Sequence, residues 1–402
     1  MLNHRALRLV WLLPMGIERP SGRRYFNLAR ALAKQGHRVR LLALHPDLAS
    51  CARRRFVQDG VEVWYVGQMH ARKSGTTPQR FGPLALLGVL LRSTAGMLWG
   101  ILCSPADAYH LGKPQPINGL AALVGVMAVR RQRFFVDCDD DEVESNHFTA
   151  AWQRRVFAFW QSLLPRLARG ATANTPFLMA RLRRAGVPQI VYVPNGVDLS
   201  HWTLPPAAET AQLRQALGLA EQRVVAYVGT LALHNHPVLL LVHAFAAIAA
   251  QSPDVALLLI GGGEDVARLR AVVDELGLRE RVRFTGDLLP ALVRRYLALA
   301  VVSVDPVNDD AVARARSPLK IFESMALGIP VVTGAVGDRA ALLDNGAAGM
   351  LVPPGDSAAL ATALHALLTD EPRRAALALA AREHVAQYAW ERLAEQWSKV
   401  YQ

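Results

Sequence analysis

The sequence predicts two doubly wound α/β domains in series, and three observations lead to this class. The chain has 402 residues, more than one ordinary hydrophobic core accommodates. Apolar segments typical of buried parallel strands alternate with helical segments along both halves. The segment VDLSHWTLPPAAE separates the two series and is typical of a linker. Because ligands of such sheets bind beyond the carboxyl ends of the strands, we expect two Rossmann-like domains facing across a cleft.

The first half opens with a strand, a helix and a second strand. LRLVWLL is apolar except for Arg8, SGRRYFNLARALAKQG has helical period, and HRVRLLAL resumes the strand pattern. Five further strand segments follow, namely VEVWYVG, DAYHLGK, QRFFVDCD, GATANT and QIVYVPNG. This order predicts a parallel sheet in an N-terminal domain of residues 1–195.

The second half repeats the pattern with six strand segments. They are RVVAYVG, VALLLIGGG, RVRFTG, LAVVSVDP, PVVTG and GMLVPPG, each separated from the next by a helix-length segment. They predict a C-terminal domain of residues 196–385. The final segment, 386–402, carries four large aromatic side chains and is expected to form a helix that packs back on the first domain.

Charge is divided unevenly along the chain. Residues 1–200 contain 27 Lys and Arg against 12 Asp and Glu, whereas residues 201–402 contain 18 against 21. A basic first half predicts an acidic partner, such as a phosphate-bearing substrate or an anionic membrane surface, although a solvated face explains charge runs as well. Without aromatic interleaving, zinc spacing or a recognition helix, the arginines do not indicate a nucleic-acid partner.

The segment GPLALLGVLLRSTAGMLWGILC at 82–103 raises the question of a membrane. Arg92 lies at its centre, where a charge is costly in a bilayer, and four glycines and a proline weaken a spanning helix further. We therefore predict one or two helices that are buried or lie on a membrane surface.

The remaining composition favours the cytoplasm. The three cysteines are scattered, and the N-terminal apolar run is short and followed by charge, unlike a secretion signal. The expected location is cytoplasmic, with possible peripheral attachment to the inner face of the membrane. No metal or other cofactor is expected, because His234 and His236 lack nearby carboxylate or cysteine companions.

The stretch ARSPLKIFESMALGIPVV at 315–332 predicts an anion site at a helix start. Ser317 suits the N-cap and Pro318 the first helical position, so amide groups from Leu319 onward point outward. A lysine at position 320 opposes the helix dipole, and an anionic ligand accounts for it. Glu323 follows one turn later, within reach of a sugar hydroxyl. The alternative is a surface ion pair between Lys320 and Glu323.

Six acids occupy the eight residues 137–144, at the end of a predicted strand. Asp137, Asp139, Asp140 and Asp141 lie at this strand end, where a carboxylate could bind a ligand hydroxyl group or accept its proton. The alternative is solvation of the strand end with capping of the next helix. His110, Lys113 and Asn118 lie at another strand end and are candidates for an acceptor pocket, as is Gly16, whose small size allows a ligand to approach the backbone. His110 is equally compatible with a structural histidine.

Several stretches of the chain together resemble the retaining glycosyltransferases of family four, which have the GT-B fold. They are GIERPSGRRYFNLARALAKQGHRV, VYVPNGVD, VVAYVGTLALHNHPVLLLVHAFA, LLLIGGGEDVARLRAVVDELGLRERVRFTGDL and SPLKIFESMALGIPVVTG, in the family's order. The resemblance implies transfer from a nucleotide sugar bound by the second domain to an acceptor bound by the first, with retention of configuration. Because the first half is basic and carries apolar helices, we expect a hexose to move from a UDP- or GDP-sugar to a lipid-linked or polysaccharide-precursor acceptor.

The resemblance also implies roles for individual residues. Glu323 matches the carboxylate that holds the donor ribose, and Lys320 lies where the diphosphate and sugar are contacted, so both join Asp139 and Asp140 as candidate catalytic residues. Relatives often carry a His-Asp pair where this chain has Asp139 and Asp140. The predicted donor-binding residues are Gly229, Thr230, His236, Gly262, Gly286, Arg316, Ser317, Pro318, Leu319, Lys320 and Glu323.

Three positions depart from the family pattern. Ala315 replaces the motif's first Glu, and Thr230 and Asn235 stand where the family has Arg and Lys. Arg314, Arg316, Lys320 and His236 are candidates to replace the missing charge. Two other functions therefore stay open: a sugar-nucleotide epimerase or hydrolase of the same fold, and a non-catalytic sugar-nucleotide-binding partner in polysaccharide assembly.

Overall fold

The computed structural model describes residues 6–74, 77–146, 148 and 150–402. The chain divides into two compact units, Met1–Asn195 with Trp390–Gln402, and Gly196–Ala389. The first unit thus ends at residue 195, and the chain returns to it at Trp390 rather than at residue 386.

The first unit is built on a mixed sheet. Its strands are β1 (Arg8–Leu13), β2 (Arg38–His45), β3 (Arg55–Gln58), β4 (Val61–Gln68), β5 (Ala71–Ser74), β6 (Thr77–Arg80), β7 (Ala108–Gly112), β8 (Phe135–Cys138), β9 (Gly170–Ala173) and β10 (Ile190–Tyr192). Within the described residues, eight of them form a sheet in the order β10-β9-β8-β7-β1-β2-β4-β3. Only β3 in this sheet runs antiparallel to its neighbour. β5 and β6 form a separate antiparallel pair.

Helices connect these strands. They are α1 (Pro20–Lys34), α2 (Pro83–Leu102), α3 (Pro116–Ala121), which continues into a π-helix (Ala122–Val129), α4 (Ala151–Leu167) and α5 (Pro176–Arg184). The predicted 82–103 segment forms the single helix α2. By length and composition it could cross a membrane, but only 22% of its apolar window is buried within the protein, and a long apolar helix is weak evidence of a span.

The second unit has one parallel sheet in its described residues. The strands are β11 (Arg223–Val228), β12 (Val255–Ile260), β13 (Val282–Phe284), β14 (Ala300–Asp305), β15 (Val331–Gly334) and β16 (Met350–Val352), in the order β13-β12-β11-β14-β15-β16. All six were predicted from their apolar runs, which a sheet covered on both faces requires. The predicted class of two α/β domains with Rossmann-like parallel sheets is confirmed.

The helices of the second unit follow its strands. They are α6 (Ala207–Ala216), α7 (Val238–Ala249), α8 (Val266–Glu275), α9 (Pro290–Leu297), α10 (Ala311–Ala315), α11 (Leu319–Ala326), α12 (Arg339–Leu342), α13 (Ser357–Thr369) and α14 (Glu371–Val385). Apolar side chains from α7, α8 and α13 pack with the sheet in one core, and those from α9, α11 and α14 pack in another.

The chain ends with α15 (Trp390–Ser398), which packs against α1 in the first unit. The Tyr401 hydroxyl group accepts hydrogen bonds from the indole groups of Trp11 and Trp397, each at 3.0 Å. The Trp11 and Trp397 rings lie 4.9 Å apart between centroids. The aromatic side chains predicted to hold the last helix therefore insert into the core beneath β1.

Candidate active site

The loops after the strands of the second unit meet at one edge of its sheet. Gly229 follows β11 and Gly261 follows β12, both with positive φ angles. A Cβ atom at Gly261 would lie 2.2 Å from the Gly229 carbonyl oxygen, so this close approach requires glycine. A Cβ at Gly262 would similarly lie 2.5 Å from an Asp287 carboxylate oxygen, whereas Gly286 adopts φ 68° beside open space. Packing of the loops thus explains why glycine stands at positions 229 and 262. The role of Gly229 and Gly262 in donor binding stays a prediction.

Helix α11 begins one residue later than predicted. Its first residue is Leu319, and Pro318 occupies the N-cap position with an extended backbone. The expectation that Ser317 occupies the N-cap position is wrong, because the helix starts one residue later and Pro318 takes that position. Lys320 still falls in the first turn, as predicted.

Lys320 is buried beside an acidic partner that sequence analysis did not identify. Its Nζ atom lies 3.1 Å from Oδ1 of Asp305, the last residue of β14, and 4.2 Å from the centroid of the Tyr227 ring. The other carboxylate oxygen of Asp305 accepts a hydrogen bond from Nε of Arg339 at 2.8 Å. The side chains of Lys320, Asp305 and Arg339 are 12%, 5% and 3% exposed, respectively.

Asp305 and Lys320 each favour the charged form of the other. Burial alone would raise the pKa of Asp305, but the nearby Arg339 and Lys320 lower it to about 2. Burial works against the charge on Lys320, yet Tyr227 and Asp305 raise its pKa. Lys320 and Arg339 share the one carboxylate of Asp305, so the three side chains together keep a net positive charge. This charge lies at the start of α11, where it can attract a further anion.

His236 and Arg316 lie in the same region of the second unit. Burial, with Lys320 and Arg316, lowers the pKa of His236 to about 2, so the imidazole is neutral. Arg316 donates a hydrogen bond from Nη1 to the Asn235 carbonyl oxygen at 3.1 Å, which ties the segment before α11 to the loop before α7. Arg314, in contrast, forms a surface ion pair with Asp309. Of the two arginines considered as replacements, Arg316 is the one in this cluster.

Glu323 and Thr230 complete the predicted donor residues. Glu323 is 8% exposed and lies one helical turn after Lys320. The alternative in which Glu323 and Lys320 form a surface ion pair is wrong, since Lys320 is buried against Asp305. The Thr230 carbonyl oxygen accepts a hydrogen bond from the Tyr227 hydroxyl group at 3.1 Å, so this backbone is fixed near Lys320.

In the first unit, Lys113 is a charge-pairing residue at the end of β7. Its Nζ atom lies 2.9 Å from Asp139 and 2.7 Å from Glu142. Lys113 itself is 7% exposed. Burial alone would lower the pKa of Lys113, but the carboxylates of Asp139 and Glu142 raise it. Lys113 therefore neutralises the acidic segment rather than extending into an open acceptor pocket, which corrects its predicted role.

Two other acids of this segment have different surroundings: Asp141 caps the loop, and Asp140 lines a cavity. Asp141 accepts backbone hydrogen bonds from Val143 and Glu144 and pairs with Arg181 at 2.8 Å. Asp140 accepts hydrogen bonds from the Asp141 amide and the Ser145 hydroxyl group. Unlike its neighbours, Asp140 lines a cavity of about 210 Å³ between α4 and α5. Asp140 is therefore the more accessible of the two predicted catalytic carboxylates.

Two predicted acceptor residues are structural. His110 is 1% exposed, and its Nδ1 atom lies 3.0 Å from the Tyr401 hydroxyl group. Burial, followed by the nearby Arg24, lowers the pKa of His110 well below its usual value. Asn118 is fully buried and donates hydrogen bonds to the carbonyl groups of Leu12, Gly112 and Lys113. Both were predicted to line the acceptor pocket, and both instead hold strand ends together.

Gly16 lies in the loop between β1 and α1. Its carbonyl oxygen accepts a hydrogen bond from the Arg19 amide at 3.2 Å. A Cβ at Gly22, in the first turn of α1, would lie 1.9 Å from this same oxygen. The loop is thus packed closely on the helix, and contact of Gly16 with an acceptor stays a prediction.

A buried ion pair behind the acidic segment was missed. Arg24 is 1% exposed, donates to Asp137 and also donates to the carbonyl groups of Val193 and Pro194. Asp137 further accepts hydrogen bonds from Tyr25 and Thr172. Sequence analysis did not relate Arg24 to the acidic segment, because Arg24 and Asp137 are 113 residues apart and only the folding of α1 against the sheet brings them together.

The protein has two Rossmann-like domains, and basic side chains lie at the carboxyl ends of the strands in the second. It therefore falls in the class of two-domain α/β proteins suited to anionic ligands. A family model described as "Glycosyl transferase 4-like domain" matches residues 21–196, and another described as "Glycosyl transferases group 1" matches residues 222–370. The two matches are separated by residues 197–221 and together account for most of the chain. The chain belongs to the group 1 glycosyl transferases, which confirms the resemblance found in the sequence.

Curated relatives match over part of their length. The chain is 33% identical over 222 residues to a D-inositol 3-phosphate glycosyltransferase of Corynebacterium urealyticum, covering 53% of this chain and 51% of the relative. It is also 33% identical over 231 residues to the protein of that name from Salinispora arenicola, covering 53% and 49%. The chain thus spans about half the length of the curated relatives it matches.

Solved structures resemble nearly the whole chain in fold. Sucrose-phosphate synthase from Thermosynechococcus elongatus has a TM-score of 0.75 at 21% identity, with 98% of both chains covered. Anabaena HepE in complex with UDP-glucose has a TM-score of 0.72 at 20% identity, again with 98% of both covered. These likenesses establish the fold alone.

Proposed function

We propose that the chain is a glycosyltransferase that moves a hexose from a UDP- or GDP-sugar to a lipid-linked or polysaccharide-precursor acceptor, with retention of the anomeric configuration. Its family membership supports glycosyl transfer, and a basic first half supports a phosphate-bearing acceptor. The nucleotide sugar bound by HepE supports this class of donor.

The observation that carries the proposal is the cationic start of α11. Lys320 and Arg339 share the single carboxylate of Asp305, and Arg316 is fixed to the Asn235 backbone in the same cluster. A nucleoside diphosphate supplies the negative charge that this arrangement lacks. The dipole of α11 favours an anion at the same end of the helix.

The proposed chemistry uses these charges in the transition state. As the bond between the sugar and the diphosphate breaks, negative charge develops on the leaving phosphate oxygen. Lys320, Arg316 and the α11 amides stabilise that charge, while Glu323 binds the donor ribose. Because they are already held in place by the fold, they need little reorganisation during the reaction.

In the first unit, we assign the acceptor side to the acidic segment after β8. Asp140 lines the cavity between α4 and α5 and is the candidate to bind the acceptor hydroxyl or receive its proton. Asp139 is neutralised by Lys113, so its proposed part is to orient this segment. The protein is proposed to act at the cytoplasmic face of the membrane, in peripheral association with it.

The test is product formation from defined donors. Purified protein is incubated with radiolabelled UDP-glucose, UDP-galactose or GDP-mannose, with and without a lipid extract, and products are separated by chromatography. Transfer of label to lipid or glycan supports the proposal. Release or epimerisation of the sugar without an acceptor would identify a hydrolase or epimerase instead.

A second candidate is a non-catalytic sugar-nucleotide-binding partner. It is favoured by Ala315, which lies fully buried at the position of the family's first motif Glu and leaves no carboxylate there. Donor binding without turnover across a panel of acceptors would support this candidate against the transferase.

A further inference from the structure

Three neighbouring helical segments of the first unit expose large apolar side chains. On α2, Leu84, Leu91 and Trp99 are 86%, 63% and 67% exposed. We define the apolar face as the exposed apolar residues of α2, of α3 with its π-helix, and of α4. They are Leu84, Leu87, Leu91, Trp99, Leu102, Leu120, Val124, Val129, Trp152 and Phe159. Single exposed apolar residues are ordinary, but a group on adjacent helices marks an interaction surface.

Helix α2 buries Ser93, Met97, Gly100 and Ile101 and leaves most of its leucines and Trp99 outside the core. A Cβ at Gly96 would lie 2.0 Å from the Val66 carbonyl oxygen, so α2 touches β4 directly at this point. Ser93 is 1% exposed and donates a hydrogen bond to the Gln68 carbonyl oxygen at 2.8 Å. These contacts dock α2 on the sheet as part of the folded unit. Beyond this buried stripe, the large apolar side chains of Leu84, Leu91 and Trp99 are left exposed, whereas an ordinary surface helix carries polar residues there.

The three segments pack side by side without room between them. A Cβ at Gly125 of the π-helix would lie 2.8 Å from Leu98 of α2, and one at Gly119 of α3 would lie 2.7 Å from Trp160 of α4. Their exposed apolar side chains therefore belong to one continuous layer of helices.

The charges on this layer have one sign. Residues 83–102, 116–129 and 151–167 contain no Asp or Glu, while Arg92, Arg154, Arg155 and Arg166 lie on α2 and α4 and are all exposed. Arg154 pairs with Glu144 in the loop before α4. A second copy of the same face would oppose these arginines with like charge, which disfavours a symmetric dimer through it.

We propose that the apolar face lies on an anionic lipid membrane. Its leucine and tryptophan side chains insert at the boundary between headgroups and acyl chains, and its arginines contact lipid phosphates. This deepens the proposed function, since it places the first unit against the surface that carries a lipid-linked acceptor. Membrane binding itself is measured without any transfer reaction.

The experiment is co-sedimentation with vesicles of pure phosphatidylcholine or of equal parts phosphatidylcholine and phosphatidylglycerol. Wild-type protein should sediment with the anionic vesicles, more weakly at high salt, and little with neutral ones. The variant Leu84→Ser/Leu91→Ser/Trp99→Ser should bind about tenfold or more weakly, because each buried methylene group contributes to membrane affinity. The matched control Val57→Ser/Leu204→Ser/Leu379→Ser changes three exposed apolar residues elsewhere and should bind like wild type.

Unaltered binding by the α2 variant, or equal binding to neutral and anionic vesicles, would overturn the proposal. So would a dimer that the α2 variant abolishes, because a second copy would then cover the face. Melting curves show whether the variant folds, and the single change Leu84→Ser at the most exposed position replaces it if the triple variant does not. Vesicle binding without any transferase product would contradict the proposed function but leave this surface supported.

Discussion

Asp305 joins Lys320 and Arg339 in one buried charge cluster at the carboxyl end of β14. Lone buried charges are costly, so each member depends on the other two. A ligand phosphate near Lys320 would complete the balance of two cations against one carboxylate. The cluster can therefore be both part of the folded core and the seat of an anion.

The lowered pKa of Asp305 predicts a pH dependence of stability. Its pKa falls from 3.8 to about 2 on folding, so the carboxylate contributes stability that is complete above the unfolded value and is lost as pH falls towards the folded one. Relative to Asp305→Asn, wild-type protein should be more stable by at least ~2 kcal/mol near neutral pH, and this gap should narrow between about pH 4 and 2. Urea unfolding at a series of pH values measures it.

Asp309→Asn is the control, since it removes the carboxylate of an exposed ion pair with Arg314 and should change stability little. A gap between wild type and Asp305→Asn that stays constant down to the lowest pH would contradict this account of the cluster.

His236 offers a direct report on anion binding. Burial, with the charges of Lys320 and Arg316, lowers the pKa of its imidazole to about 2. A diphosphate beside these cations should raise that pKa, because its charge offsets theirs. NMR titration of labelled histidine, with and without UDP, should show the shift at His236 and none at the exposed His201. An unchanged His236 pKa with UDP bound elsewhere would place the nucleotide away from this cluster.

Contacts between residues far apart in the sequence were the hardest to predict. The pattern identified Lys320 and Glu323 from local helix chemistry, which depends on neighbouring residues. Asp305 was not identified, because it lies in an apolar strand run and its two partners follow later in the chain. His110 and Asn118 were assigned to a pocket on the basis of their position at a strand end, yet the sheet and Tyr401 enclose them.

Among the helices, the position of α11 is set by local sequence signals, whereas the docking of α15 is set by contacts with residues far away in the sequence. The helix at α11 was predicted from turn and helix signals, and only its first residue differs because Pro318 caps it. The polar edge strand β3 and the β5-β6 hairpin were not predicted, since they lack a buried apolar run. The docking of α15 depends on Tyr401, which no local signal relates to Trp11.

Loss of the Tyr401 hydroxyl group should loosen α15. The variant Tyr401→Phe removes the acceptor of two buried indole groups, Trp11 and Trp397, and should reduce the free energy of unfolding by about 1–3 kcal/mol. Urea unfolding is the measurement, with Tyr296→Phe as the control for removal of a tyrosine hydroxyl group elsewhere. A change no larger than that of the control would show that the indole groups find other partners.

In the molecule as a whole, the excess of basic residues and the apolar face both lie in the first half of the chain. The basic balance and the apolar segment at 82–103 were evident from sequence. The sequence did not show that α3 and α4 form one layer with α2, because helices become neighbours only through tertiary packing. The donor base, the sugar and the acceptor were also beyond prediction, since they depend on contacts that no short pattern records.

Removal of metal tests whether the protein's own cations suffice. If Lys320, Arg316 and the α11 amides neutralise the leaving diphosphate, glycosyl transfer should persist in excess EDTA at close to its original rate. The assay is product formation from the active donor, compared with and without added Mg²⁺ or Mn²⁺. Loss of transfer in EDTA, restored by either metal, would contradict this part of the proposal.

The central claim is that the second unit binds a nucleotide sugar at the start of α11. The most direct test is a thermal-shift screen of UDP- and GDP-sugars, in which ligand at 100 times its Kd stabilises the folded protein by about 2.7 kcal/mol. We predict a raised melting temperature for wild type and for the exposed controls Lys399→Ala and Glu275→Ala, and no shift for Lys320→Ala or Glu323→Ala. A full shift in both of these variants would contradict the claim.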